Sequence, residues 1–317
     1  MDYRSEFLRI NQQACESLGI AFRNRKLAFL TERGRLKQLR IQTGFLIEEY
    51  FFNLCTVLKV NLLIECGAHD ATTSMKFTKT QGRSALAFEA NPYVYERFKS
   101  NINPRLIEYV NIGLASQPGS LQLNIPSHTP KSWSMQSSFS KTIEFSDFEQ
   151  VTVNVDSLDN LASRKIEVTS TALWIDVEGF GYSVLEGASE ILRNKNCKLI
   201  FIEVQDRAFW DNEQNALEIC KYLSDFDFIP IVRDCPLADL YNIIFVKSPE
   251  IGKILTITNR FWFDSTRIRP IFWDARPFRF YLSLLKRFIL FLGARRFDAT
   301  IHRISKFFGS RSSSDSK

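Results

Sequence analysis

The sequence predicts an α/β fold: a β-sheet with helices on both faces, preceded by a helical cap and followed by a helical tail. Three observations predict it. Apolar runs suited to strands alternate with helical spacings from Val60 onward. The stretch from Leu62 to Ser74 reads as buried strand, tight turn and helix start, with Gly67 at the turn. A second apolar strand, Ala85 to Phe88, ends in Glu89, about 20 residues beyond that glycine, where an acid on the second strand of a nucleotide-binding unit meets ribose hydroxyls. The turn holds one glycine where the dinucleotide fingerprint wants three, so a nicotinamide-dependent oxidoreductase is disfavoured.

Taken in order, residues 1–58 form the N-terminal cap. Phe7, Ile10 and Ala14 have helical spacing, a basic stretch follows from Arg23, and Leu46, Ile47, Tyr50, Phe51 and Leu54 mark a firmer amphipathic helix. The core domain spans 59–249. Asp70, Thr72, Thr73 and Ser74 can cap the helix 72–80. Pro92 opens the next helix, with Val94, Phe98 and Ile102 on one face. A third strand runs from Ile107 to Leu114 and ends at Ala115-Ser116; Gln117 to Ser120 is a turn, and Leu121 to Ile125 alternates like a half-exposed strand. Residues 126–148 are polar and serine-rich, long enough to suggest a functional loop or lid. Strands at 151–155 and 172–175, a helix from Ser183 to Leu192, a strand at 198–204 and a helix at 214–225 follow. The stretches 228–232 and 241–246 read as a closing antiparallel pair.

Ligands of open α/β sheets gather at the carboxyl ends of the strands. Glu65, Glu89, Asp176, Glu178 and Glu203 all fall at or near such ends. Each has a plain structural alternative: Glu65 can bond the amides of its turn, Asp176 or Glu178 can cap the next helix, and Glu203 can pair with Arg207. Their shared edge favours a site.

The chain has 317 residues and a formal net charge of +6, unevenly spread. Between Glu250 and Lys317 there are fourteen Lys/Arg and five Asp/Glu, so the tail carries +9 and the rest −3. None of the six cysteines forms a C-x-x-C pair, so no zinc pattern is present. Cys66, Cys197 and Cys220 read as small core residues, in keeping with a reducing, cytoplasmic location. The N-terminus opens no signal peptide, and no apolar run approaches the ~20 residues of a spanning helix.

Four stretches, Glu65-Cys66-Gly67-Ala68-His69-Asp70, Ala87-Phe88-Glu89-Ala90-Asn91-Pro92, Val155-Asp156-Ser157-Leu158-Asp159 and Ile175-Asp176-Val177-Glu178-Gly179, occur in the order seen in FkbM-type methyltransferases. Val184 to Ala188 and Ile200 to Val204 extend a resemblance that covers roughly residues 60–247. It implies a class I methyltransferase Rossmann-like fold, with a mostly parallel seven-stranded sheet, and S-adenosylmethionine as cofactor. On the family's pattern Glu65, Gly67, Ala68, His69 and Asp70 form the turn around the methionine part of the cofactor. Glu89, with Ala90 and Asn91, serves the ribose, Ala115 lies in the segment beside the adenine, and Asp176 and Glu178 stand beside the transferring methyl. The family methylates hydroxyls, often on sugars or polyketide-type products. The chain departs from the family's usual residues at Glu65 (aspartate), His69 (asparagine), Ala71 (glycine), Ala90 (proline) and Trp174 (lysine). His69 and Ala71 make the turn bulkier, which keeps a second reading open: a binding or scaffold protein that retains the fold without turnover.

The expected reaction is O-methylation of a sugar, glycoconjugate or related small molecule. An acceptor hydroxyl needs a base, for which Asp176 is the first candidate and Glu178 the second. Carboxylates also suit Mg²⁺ or Mn²⁺, with Glu203 as a further ligand, but no metal is expected. His128, in the serine-rich loop, is a remoter candidate base. The 250–317 extension is basic and aromatic. Its run from Phe278 to Leu292 suits an anionic membrane surface, or packing on the body or on a second subunit; nucleic acid is disfavoured, because that run is too apolar for a phosphate-binding stripe. The end from Ser310 reads as disordered.

Overall fold

The computed structural model describes residues 2–18, 35–127, 130–140, 147–166, 169–206, 214–234 and 240–254. The basic stretch from Arg23, His128, Arg207, Cys235 and the tail beyond residue 254 lie outside the described residues.

The cap consists of α1 (Tyr3–Leu18) and α2 (Arg35–Val57). The core then runs β1 (Leu62–Cys66), α3 (Thr72–Thr78), β2 (Ser84–Glu89), α4 (Pro92–Phe98), β3 (Ile107–Asn111), β4 (Gly113–Leu114), β5 (Gly119–Pro126) and β6 (Phe148–Asp156). It continues with α5 (Leu158–Ile166), β7 (Thr171–Ile175), α6 (Gly181–Glu186), α7 (Ser189–Arg193), β8 (Cys197–Gln205), α8 (Ala216–Ser224), β9 (Phe228–Arg233) and β10 (Leu240–Lys247). Seven strands form the main sheet in the order β3-β2-β1-β7-β8-β10-β9. Only β10 runs antiparallel, against both β8 and β9. The strands β1, β7 and β8 are apolar almost throughout because helices cover both faces.

On one face α2 lies over β7 and β8. Phe51 packs edge-on against Trp174 and Phe201, whose rings stack 3.6 Å apart. Lys76 of α3 pairs with Glu48 of α2 at 2.9 Å, which ties the cap to the first core helix. Trp174, where the family often has lysine, is thus part of an aromatic seal beneath the cap. α1 packs against β9 and α8, with Asn11 accepting a bond from the buried Arg233. The edge strand β9 tolerates Pro230, where its pairing with β10 shifts register.

Three departures from the sequence-based expectation have a cause visible in the packing. The expected third strand breaks after Asn111. Gly113–Leu114 leaves the main sheet and pairs with β6 in a second sheet of order β4-β6-β5. A Cβ at Gly113 would lie 2.5 Å from the Phe139 ring and 2.9 Å from Val155, so only glycine makes that crossing without displacement. The expected helix from Ser183 to Leu192 divides at Gly187-Ala188. There Asp159 N–H donates to Gly187 O, and the Asp159 carboxylate accepts from the amides of Glu190 and Ile191, starting α7 afresh. In β5 the expected alternation fails at Asn124, which is buried because its amide bonds loop carbonyls instead of water.

Candidate active site

At the carboxyl ends of the parallel strands lies a cavity of about 580 Å³, counted out to its open mouth. Its floor is the first turn of the nucleotide unit. Gly67 and Ala68 donate their N–H groups to Phe88 O at 3.0 and 2.9 Å, which closes the turn against the end of β2. Gly67 has φ +80°, and a Cβ there would stand 1.8 Å from Asp176 O. Only a glycine lets this turn pass β7 so closely. The turn continues through left-handed His69 (φ 46°) and Ala71 (φ 56°), positions where L residues are strained.

Glu89 ends β2 on the cavity wall. Its two carboxylate oxygens accept the N–H groups of Asn91 and His69, each at 2.7 Å. Burial nevertheless pushes its carboxyl up to about 7, against these hydrogen bonds. His69 lines the cavity beside it. Its carbonyl accepts from the Tyr109 hydroxyl, and its Nε2 is buried without a hydrogen-bond partner. Desolvation lowers the imidazole pKa, so the ring is neutral near pH 7.

Asp176, Val177 and Glu178 form the opposite wall, at the end of β7. Asp176 N–H donates to Cys66 O at 3.0 Å, which joins the two turns. Its carboxyl is pushed up to about 6, first by burial and then by the Glu48 carboxylate of α2. Glu178 (φ 48°) and Gly179 (φ 83°) form a left-handed pair. The adjoining wall is apolar, with Ile112, Leu114 and Leu123. Ser134, Met135, Ser137, Ser138 and Phe139 of the serine-rich loop form the roof.

The site residues read from the sequence therefore divide. Gly67, His69, Glu89, Ala90, Asp176 and Glu178 line the cavity. Glu65, Ala68, Asp70, Asn91 and Ala115 are absent from its lining. Glu65 accepts from Ser74 N at 2.9 Å and Ser74 Oγ at 2.5 Å; it serves α3, whose N-cap Ala71 has no side chain to offer. Asp70 accepts from Thr72 N at 3.0 Å. Asn91 caps α4. Ala115 is buried, with its N–H on Asp156 O and its carbonyl beside Gly187. Glu203, on β8, is outside the cavity lining. Among the described residues no group of three or more His, Cys, Asp or Glu could hold a metal ion. The described cysteines, Cys55, Cys66, Cys197 and Cys220, are buried and free, with thiol pKa values raised by burial.

Two features of the site were not read from the sequence. Glu48 influences Asp176 from a helix 128 residues earlier in the chain, a contact no local pattern encodes. Ser134, Ser137 and Ser138 were read only as members of a polar loop; the run of serines in a long connection was the available signal.

A parallel sheet in this order, with an acid on the second strand facing a cavity and a glycine turn beside it, defines a methyltransferase of class I architecture. The chain belongs to the FkbM methyltransferase family: the model for the methyltransferase FkbM domain matches residues 65–230. The resemblance of the chain's motifs to that family implies S-adenosylmethionine as the methyl donor. The residues present fit it on one observation, the unpartnered Nε2 of His69 in the cavity wall beside Glu89. Solved structures similar to this chain include EvdMO1, at 11% identity and TM-score 0.37 over 65% of this chain and 43% of that one. Another is Aeropyrum pernix fibrillarin with natively bound S-adenosyl-L-methionine, at 12%, 0.35, 59% and 66%. A third is magnesium protoporphyrin IX methyltransferase from Synechocystis PCC 6803 with bound SAM, at 9%, 0.36, 67% and 78%. The match thus spans less than half of EvdMO1 and just under two thirds of fibrillarin. No curated protein matches.

Proposed function

We propose that this chain methylates a hydroxyl of a sugar, glycoconjugate or related small molecule, with Asp176 as the base. The observation that supports this is a carboxyl group, raised to about 6 by burial, on the wall of the same cavity as Glu89. When bound, the donor's sulfonium supplies an already activated methyl group. The protein's tasks are then to hold the acceptor oxygen in line near ~3 Å, to exclude water and to take a proton. Glu89 would accept the ribose hydroxyls. Gly67, His69 and Ala90 would line the donor's path, with Leu114 and Ile112 against its aromatic end. Asp176 would receive the acceptor's proton, and Glu178 would orient the attacking hydroxyl. Ser134, whose hydroxyl has no partner among the described residues, and Ser137 would offer hydroxyl groups to a polyhydroxylated acceptor, while Met135 and Phe139 would shield the mouth. Glu65, Ala68, Asp70 and Ala115 would shape the walls without touching the reacting groups.

The test is release of S-adenosylhomocysteine across a panel of glycans and small polyols, with calorimetric binding of the same product. Asp176→Asn should keep product affinity and lose about a hundredfold or more in turnover. Turnover of the natural chain should rise with pH through about 6, as the base loses its proton. An Asp176→Asn chain as fast as the natural one would refute the assignment. The strained His69 and Ala71 of the donor turn favour a second reading, a binding protein without turnover. Tight product binding with no methyl release on any acceptor would select it.

A further inference from the structure

The roof of the cavity is held at two opposite ends, and each hold is on a turn that carries an acid. At one end stands Asn91, 0% exposed and absent from the cavity lining. Its side-chain Nδ2 donates to Lys131 O at 3.0 Å and to Ser137 Oγ at 3.1 Å. Its Oδ1 accepts from the amides of Tyr93 (3.0 Å) and Val94 (3.4 Å), which starts α4. Its own N–H donates to Glu89 Oε1 at 2.7 Å. At the other end Ser138 Oγ donates to Glu178 O at 2.5 Å, and the backbone of Ser138 pairs with Asn124. The chain between Lys131 and Phe139 therefore runs from the Glu89 turn to the left-handed Glu178 turn.

We propose that Asn91 is a positioning residue: it fixes the Glu89 carboxylate and the serine-rich roof to one another, so that donor affinity depends on a side chain that touches no donor atom. This rests on the reading of the cavity as the donor site. A plain helix cap would need only the Oδ1 of Asn91. The two Nδ2 bonds, directed away from α4 into the roof, are what a cap does not require. Aspartate caps as well as asparagine but has no N–H to give. Asn91→Asp therefore separates the two roles: the cap persists while the bond to Lys131 O is lost and replaced by repulsion between two acceptors, and the Ser137 hydroxyl must turn to donate.

The experiment measures S-adenosylhomocysteine binding by calorimetry, thermal unfolding, and the rate of tryptic cleavage after Lys131. Asn91→Asp should unfold within about 2 °C of the natural chain, bind about tenfold more weakly, and be cut several-fold faster at Lys131. Ser137→Ala, which adds no charge and leaves the cap untouched, should weaken binding about threefold with unchanged unfolding. Natural affinity and natural cleavage in both variants would overturn the proposal. So would an Asn91→Asp chain whose affinity falls only in step with its unfolding temperature while Ser137→Ala binds normally. If the natural chain binds no product at all, it is the donor-site reading that fails, and the cleavage rates alone then decide whether Asn91 fixes the roof.

Discussion

Replacing Gly67 with alanine tests the closest approach in the cavity. The added Cβ would lie 1.8 Å from Asp176 O and 2.9 Å from Asp176 C, where real Cβ contacts stay beyond 3.0 Å. The two turns must therefore separate by about 1.2 Å at that point. Neither side yields cheaply. Asp176 N is bonded to Cys66 O, and Gly67 N is bonded to Phe88 O. Alanine at φ +80° adds backbone strain of about 1–2 kcal/mol. With distorted turn bonds the total comes to about 2–4 kcal/mol, a fall in unfolding temperature of about 5–10 °C. A displacement of about 1 Å at a reacting group costs about a hundredfold in rate. Scanning calorimetry measures the first effect and methyl release under saturating donor the second. A Gly67→Ala chain that unfolds within about 2 °C of the natural one and turns over normally would show that the two turns are not coupled as described.

The other predictions concern the buried acids and the tail. Glu89→Gln should weaken S-adenosylhomocysteine binding about tenfold at pH 8; because the Glu89 carboxyl is raised to about 7, affinity of the natural chain should rise with pH through that value and that rise should vanish in the variant, as followed by calorimetry from pH 6 to 8. Glu65 is raised from 4.5 to about 7 chiefly by burial, so the folded chain holds an extra proton between those values and stability falls as pH rises through them. The urea unfolding free energy of Glu65→Gln relative to the natural chain should shift in the variant's favour by up to about 3 kcal/mol from pH 4.5 to pH 7.5, and a constant gap would contradict this. We propose that the basic tail contacts anionic membranes; flotation with phosphatidylserine vesicles should then drop on removal of residues 255–317, and equal flotation would refute it.

Much of the fold was legible because it is written locally. The apolar strands β1, β2, β7 and β8, the Gly67 turn and Pro92 at a helix start are patterns a few residues long, and the cavity acids follow from where those strands end. What was not legible is of two kinds. The two-residue β4 is too short to carry a period, and the polar sequence of α5, Leu158–Ile166, hid a helix behind its motif acids. The division at Gly187 and the burial of Asn124 depend on Ala115 and on Ser138, partners far along the chain. Glu65 illustrates the limit for the site. Its position among strand-end acids suggested a cofactor ligand, and only the packed structure reveals that its Oε2 accepts both the N–H and the hydroxyl of Ser74.

The crossing at Gly113 divides the apolar interior. Ala115, Leu123, Ile125, Val153 and Val155 form a small core of their own, joined at its margin by Phe139 and Phe180, apart from the large one beneath the main sheet. The cavity thus lies where the two cores meet: Leu114 of its wall belongs to the large core and Leu123 to the small one, with Phe139 of the roof at the small core's margin. With far fewer buried apolar residues the smaller core should open more readily than the main sheet, and faster hydrogen exchange at the amides of Leu123 and Ile125 than in β1 and β7 would show it.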